Sequence, residues 1–164
     1  MEEYEKRRAM QSAQELYVKK IKDGTVIDHI TPGFALDVLK ILGINGKHGE
    51  VVSTVINVES KHLHHKDIVK IQDRELKPNE VDKIALIAPN ATINIIRNFE
   101  VASKKVVELP PTIRGIIKCD NPSCISNSME PVERKFGVDE REPIRLRCHY
   151  CGHIMEREDI LKQF

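Results

Sequence analysis

Apolar and polar positions alternate along the chain in a way that separates a long mixed region from a short cysteine-bearing one. Leu16, Val18 and Ile21 lead through Asp23-Gly24 into Thr25–Ile30, a β-branched run that reads as a strand. Thr31-Pro32-Gly33 then opens a helix, with Phe34, Leu36, Val38, Leu39, Ile41 and Leu42 at helical spacing and Gly43 as the stop. Residues 50–58 predict a second strand. After a polar loop holding His62, His64 and His65, residues 67–72 predict a third. Pro78 sits in the first turn of a helix that continues through Ile84, Leu86 and Ile87 and ends at Pro89-Asn90. Two further strands follow, 92–97 and a run from Phe99 to Ala102 that extends toward Val107.

The order β-α-β-β-α-β is that of a ferredoxin-like sandwich, an α+β fold with both helices on one sheet face and the other face free for a ligand or partner. Residues 1–15 are polar, with only Ala9, Met10 and Ala13 as a thin apolar stripe, and read as an N-terminal arm. The main domain spans 16–108. Leu109-Pro110-Pro111-Thr112 begins a stiff linker, 109–114, and a second domain occupies 115–164. There, residues 133–138 and 143–147 predict an antiparallel pair, and 154–164 a short helical tail.

All four cysteines fall in the second domain, as Cys119-x4-Cys124 and Cys148-x2-Cys151. Two short Cys pairs separated by a hairpin-sized insert direct four thiolates at one tetrahedral Zn²⁺. Four thiolates complete the coordination sphere, so the ion is structural, and His149 and His153 read as surface residues. A domain of about 50 residues has little core of its own, so the metal supplies much of its folding free energy.

Charge and composition remove several function classes. Lys and Arg number 26 against 25 Asp and Glu, and aromatic residues make up only 4% with no Trp. Neither a basic stripe nor a base-stacking platform is available for nucleic acid. A zinc ribbon that binds nucleic acid, using Arg134, Lys135, Arg145 and Arg147, is the second reading, but Glu130, Glu133, Asp139, Glu140 and Glu142 offset those cations. No apolar stretch reaches membrane-span length, and no secretory signal opens the chain. With zinc-held thiols, this points to the cytoplasm. The motifs of phosphate loops, nucleophile elbows and zinc proteases are absent. The His62, His64, His65 cluster reads as a solvated loop rather than a second metal site, there being no carboxylate or Cys at ligand spacing.

Polar residues do interrupt strands of the main domain: Asp28, His29, Lys66, Lys70 and Asn94, with Lys104 beyond the last. Taken together they suit a ligand bearing phosphates and hydroxyls, the lysines meeting phosphate oxygens and Asp28 accepting from a hydroxyl or amine.

Several segments carry a more specific resemblance: Gly24–Ile30, Lys66–Ile71, Ala88–Asn94, Cys119-x4-Cys124-Ile-Ser, Glu130-Pro131-Val132 and Cys148-x-Tyr150-Cys151. In order and spacing they resemble the regulatory chain of aspartate carbamoyltransferase over about residues 16–155. The resemblance implies a non-catalytic subunit of pyrimidine biosynthesis with a nucleotide-binding allosteric domain and a zinc domain docked on the catalytic chain. It further implies regulatory dimers that bridge catalytic trimers, with CTP, UTP and ATP as effectors. By the same resemblance Asp28 and Lys70 would meet ribose and base, and His29, Lys66 and Lys104 the triphosphate. Asn94 would lie beside the phosphates, with Val18, Ile21, Ile96, Phe99 and Val101 lining base and sugar. Phe99 departs from a position that can hold Tyr, and Lys20 from one that can hold a small apolar residue. Asn121 and Tyr150 match docking positions, and Ser123 stands where the family can carry Asn.

Overall fold

The computed structural model describes residues 19–164. Leu16, Val18 and the arm expected over 1–15 lie outside the described residues. The first region contains β1 (Gly24–Ile30), α1 (Ala35–Ile41), β2 (Val52–Ser60), β3 (His64–Gln72), α2 (Pro78–Ala85), β4 (Thr92–Arg97) and β5 (Glu100–Val106). Its five strands lie in the order β2-β3-β1-β4-β5, every neighbouring pair antiparallel. The first four strands follow the split βαβ order expected from sequence, and β5 extends the sheet at the β4 edge.

Strand alternation decides what each face carries. Ile27, Val69, Ile71 and Ile93 point to the face covered by the helices, and pack with Ala35, Val38, Ile41, Ile84 and Ala85 in one buried cluster. A buried carboxylate fixes α1 on that face. Asp67, fully buried on β3, accepts the backbone N–H groups of Gly33 and Ala35 through Oδ2 and of Asn57 through Oδ1. Donors at a helix start satisfy a negative charge that would otherwise be costly to bury. Pro78 stands at the first turn of α2, and Glu80 reaches back to the Lys77 N–H at 2.8 Å.

The second region is a four-stranded antiparallel sheet in chain order: β6 (Thr112–Arg114), β7 (Lys135–Arg141), β8 (Ile144–Cys148) and β9 (Ile154–Glu156). A short helix, α3 (Arg157–Leu161), follows. Thr112–Arg114, placed within the linker by composition, pairs with β7. Val107 and Leu109 are buried in the cluster that also contains Ile113, Phe136, Leu146, Met155 and Ile160.

The C-terminal tail returns to the first region. Arg157 lies 4.1 Å above the Phe34 ring, Lys40 Nζ donates to the Leu161 carbonyl at 3.0 Å, and Lys83 Nζ sits 5.6 Å from the Phe164 ring centre. Gln163 clamps Lys118 by accepting its N–H and donating to its carbonyl, both at 2.8 Å.

Candidate nucleotide face and metal centre

On the sheet face opposite the helices, strand register gathers residues far apart in sequence. Val26 pairs with Lys70 on one side and Asn94 on the other, and Asn94 pairs with Lys104. Lys70, Val26, Asn94 and Lys104 therefore form one row across four strands. A second row sets Gly24 beside Ile96, which pairs with Val101. Asp28 and Lys66 share this face and form an ion pair at 2.8 Å, each side chain about one-fifth exposed. Lys70 is buried, its Nζ donating to the Lys19 carbonyl at 2.9 Å. Desolvation lowers its pKa, partly countered by Asp28. A lysine whose folded pKa is lowered costs stability while protonated, so this cost fades as pH rises from the folded toward the unfolded pKa.

Other expected residues sit at the margins of this face. Ile21, just before β1, and Ile96 are buried, while Phe99 and Val101 are more than half exposed. Phe99 lies in the β4–β5 turn with φ 66°, its N–H held by the Lys22 carbonyl at 2.8 Å. His29 occupies a break in the β1–β3 register with φ 57°, its N–H bonded to its neighbour's carboxylate, Asp28 Oδ1, at 2.6 Å. Sequence reasoning missed Asp67, because a lone Asp in an apolar strand gives no sign that its partners lie 10, 32 and 34 residues away.

In the second region, the four cysteine Sγ atoms lie within 4.8 Å of one another, with Cys119–Cys151 and Cys124–Cys148 each at 3.6 Å. A tetrahedron of Zn–S bonds of about 2.3 Å separates sulfurs by about 3.8 Å, so the donor set fits zinc closely. All four thiols are free. The first turn is tied by Asn127, whose Nδ2 donates to the carbonyls of Cys119 at 2.7 Å and Asn121 at 2.9 Å. The second is closed by the Gly152 N–H to the Cys148 carbonyl, with Gly152 at φ 73°. Burial pushes the Cys119 and Cys148 thiols up, whereas a backbone hydrogen bond from His153 brings Cys151 down to about 6. A divalent cation at the centre favours the thiolate at all four positions. No position is left for water or substrate, so the metal holds the turns together. His149 and His153 are exposed, and neither joins the cluster. Asn121 and Tyr150 are both used internally: Asn121 Oδ1 accepts the Ser123 N–H, and the Tyr150 hydroxyl donates to the Glu133 carbonyl at 2.7 Å.

An open-faced α+β sandwich carrying cationic and amide groups, joined to a small sheet with a four-sulfur metal site, defines an α+β protein with a structural metal centre. Family models for the aspartate carbamoyltransferase regulatory chain match both parts, the allosteric domain over residues 16–108 and the metal-binding domain over 111–161. The regulatory chain of Korarchaeum cryptofilum is 58% identical over 151 residues, covering 92% of this chain and 96% of that one. That of Pyrobaculum arsenaticum is 56% identical over 150 residues, with 91% and 99% covered. The chain belongs to the aspartate carbamoyltransferase regulatory chain family.

Proposed function

We propose that this regulatory chain binds nucleoside triphosphates (CTP, UTP or ATP) on the open sheet face and docks on the catalytic chain of aspartate carbamoyltransferase through its metal domain. Regulatory dimers would bridge catalytic trimers in the assembled enzyme. The observation that carries the nucleotide reading is the row Lys70–Val26–Asn94–Lys104, beside the Asp28–Lys66 pair. Lys70 and Asp28 meet ribose and base, His29, Lys66 and Lys104 meet the phosphates, and Asn94 lies between. Ile21, Ile96, Phe99 and Val101 border the base and sugar, together with Val18, which lies outside the described residues. Ammonium–phosphate hydrogen bonds give affinity, and the apolar border excludes water from them.

A nucleotide regulates only if it binds two quaternary states unequally, and a coupling of roughly 1–3 kcal/mol is typical. Calorimetric titration of the zinc-loaded chain with CTP and ATP tests the site. Saturable binding is expected, weakened about tenfold or more by Lys70→Ala, the size of one lost charged hydrogen bond. Undiminished binding in the variant would remove Lys70 from the site. Failure of both nucleotides to bind would leave the chain a structural bridge.

A further inference from the structure

Beside the metal centre lies a polar side chain that the four ligands do not account for. Ser126 is only 6% exposed, in the single turn of 3₁₀ helix Ile125–Asn127 that follows Cys124. Its neighbour Ile125 is about half exposed, so the turn sends the isoleucine outward and the serine inward. The backbone there is tied on both sides. The Asn127 N–H donates to the Cys124 carbonyl at 2.9 Å and the Ser128 N–H to the Ile125 carbonyl at 3.0 Å, while Asn127 Nδ2 reaches back to the Cys119 and Asn121 carbonyls. Ser126 Oγ is thereby held 3.1 Å from Cys124 Sγ.

Burial explains why this sulfur needs a donor. Four thiolates around Zn²⁺ leave an excess of negative charge on sulfur, and buried charge is costly unless it accepts hydrogen bonds. Cys151 is exposed, and water can reach its sulfur. Cys119 accepts the Asn121 N–H, and Cys148 those of Tyr150 and Cys151. At Cys124, 3% exposed, the structure supplies a side-chain hydroxyl. Backbone donors come with any sequence that makes the turn, whereas this one depends on the residue at 126.

We propose that Ser126 is a positioning residue for the metal, its hydroxyl donating to the Cys124 thiolate, fixing the sulfur in place and slowing loss of the ion. The hydrogen bond offsets part of the cost of burying charge at this ligand, so its removal weakens the bound state. Metal binding and folding of a small module are one equilibrium, and the rate of ion loss sets the lifetime of the folded module.

The test uses the full chain, loaded with Co²⁺ for spectroscopy and with Zn²⁺ for release to excess chelator, in Ser126→Ala, Ser126→Thr and Ser128→Ala. Ser128 Oγ donates to the Ile125 carbonyl at 2.6 Å, so Ser128→Ala loosens the same turn without touching a sulfur. In Ser126→Ala the sulfur-to-cobalt charge-transfer band should move to longer wavelength, because a sulfur without its donor gives up an electron more readily. Zinc release should quicken by about tenfold, the lower end for loss of a group that supports a metal ligand. Ser126→Thr keeps the hydroxyl and should restore both band and rate, and Ser128→Ala should leave the band in place. An unchanged band or an unchanged rate in Ser126→Ala, or an equal band shift in Ser128→Ala, overturns the proposal. Should Ser126→Ala take up no metal, recovery in Ser126→Thr upholds the hydroxyl, and failure of both overturns it in favour of a packing requirement at this position.

Discussion

At the metal centre, four ligands come from two turns within 33 residues, and a tetrahedral ion dictates their geometry. On the open sheet face, Lys70, Asn94 and Lys104 come from three strands, and only strand register brings them together. The first arrangement depends on a bound ion and can be lost with it. The second depends on the whole sandwich and can be lost only when the register or the helix-covered core fails. The two regions nevertheless share one apolar cluster, to which Val107 and Leu109 belong. Because one depends on an ion and the other on strand register, each can be disturbed in its own way and the other watched.

The largest effect is expected from breaking the metal centre. Cys124 is buried and its Sγ lies 3.6 Å from that of Cys148. In Cys124→Ser, or after chelation of the parent chain, β6–β9 should lose their order, since structural zinc supplies roughly 10–16 kcal/mol in small metal domains. Hydrogen exchange resolved by region should show 112–156 exchanging freely while β1, β3 and β4 stay protected. Retained protection across β7 and β8 without metal would show that the shared apolar cluster, and not zinc, holds this sheet.

The reciprocal break is Asp67→Asn. The substitution replaces one carboxylate oxygen by an NH₂ that confronts backbone N–H groups, and removes the charge that faces the start of α1. A loss of about 2–4 kcal/mol is expected, given hydrogen bonds to a charged group worth about 1.5–3 kcal/mol each and partial rescue by water. Denaturant unfolding followed by strand-specific exchange should report destabilisation of the first region with zinc content unchanged. A loss below about 0.5 kcal/mol would mean that the N–H groups find other acceptors.

This contrast also explains which features are legible in the sequence. The cysteine pairs announce themselves because zinc imposes a local spacing and thiols have few other uses in such a pattern. The main sandwich was legible from periodicity, its boundaries shifting by two or three residues, as at β2 and β3. Asp28 and Lys66 form a mostly covered pair because β1 and β3 are neighbours, a fact about topology. The strands β6 and β9 escaped notice for a different reason. Three residues after a double proline, or beside a metal turn, are too few to show a period of two. The left-handed backbone at His29 has no local signal, since Asp-His-Ile in a β-branched run predicts continued strand.

The smallest effect is expected at the seam. Arg157 lies 4.1 Å above the ring of Phe34, at the foot of α1, and the tail is also tied to the first region by the Lys40–Leu161 bond and by Lys83 over the Phe164 ring. Cation–π contacts of this kind contribute about 0.5–1 kcal/mol at exposed sites and more when desolvated. Arg157→Ala should therefore leave the zinc module and the sandwich each intact and speed exchange only at 157–164, by a factor of about two to five. Arg157→Lys should restore part of the contact, because an ammonium also sits over a ring. If Arg157→Ala instead destabilises both regions together, the tail is a structural member of one common core. If it affects only the tail, the shared apolar cluster and not the cation–π contact holds the two regions together. The same variant, measured for nucleotide effects in the assembled enzyme, then distinguishes the two routes by which the open face can reach the metal module.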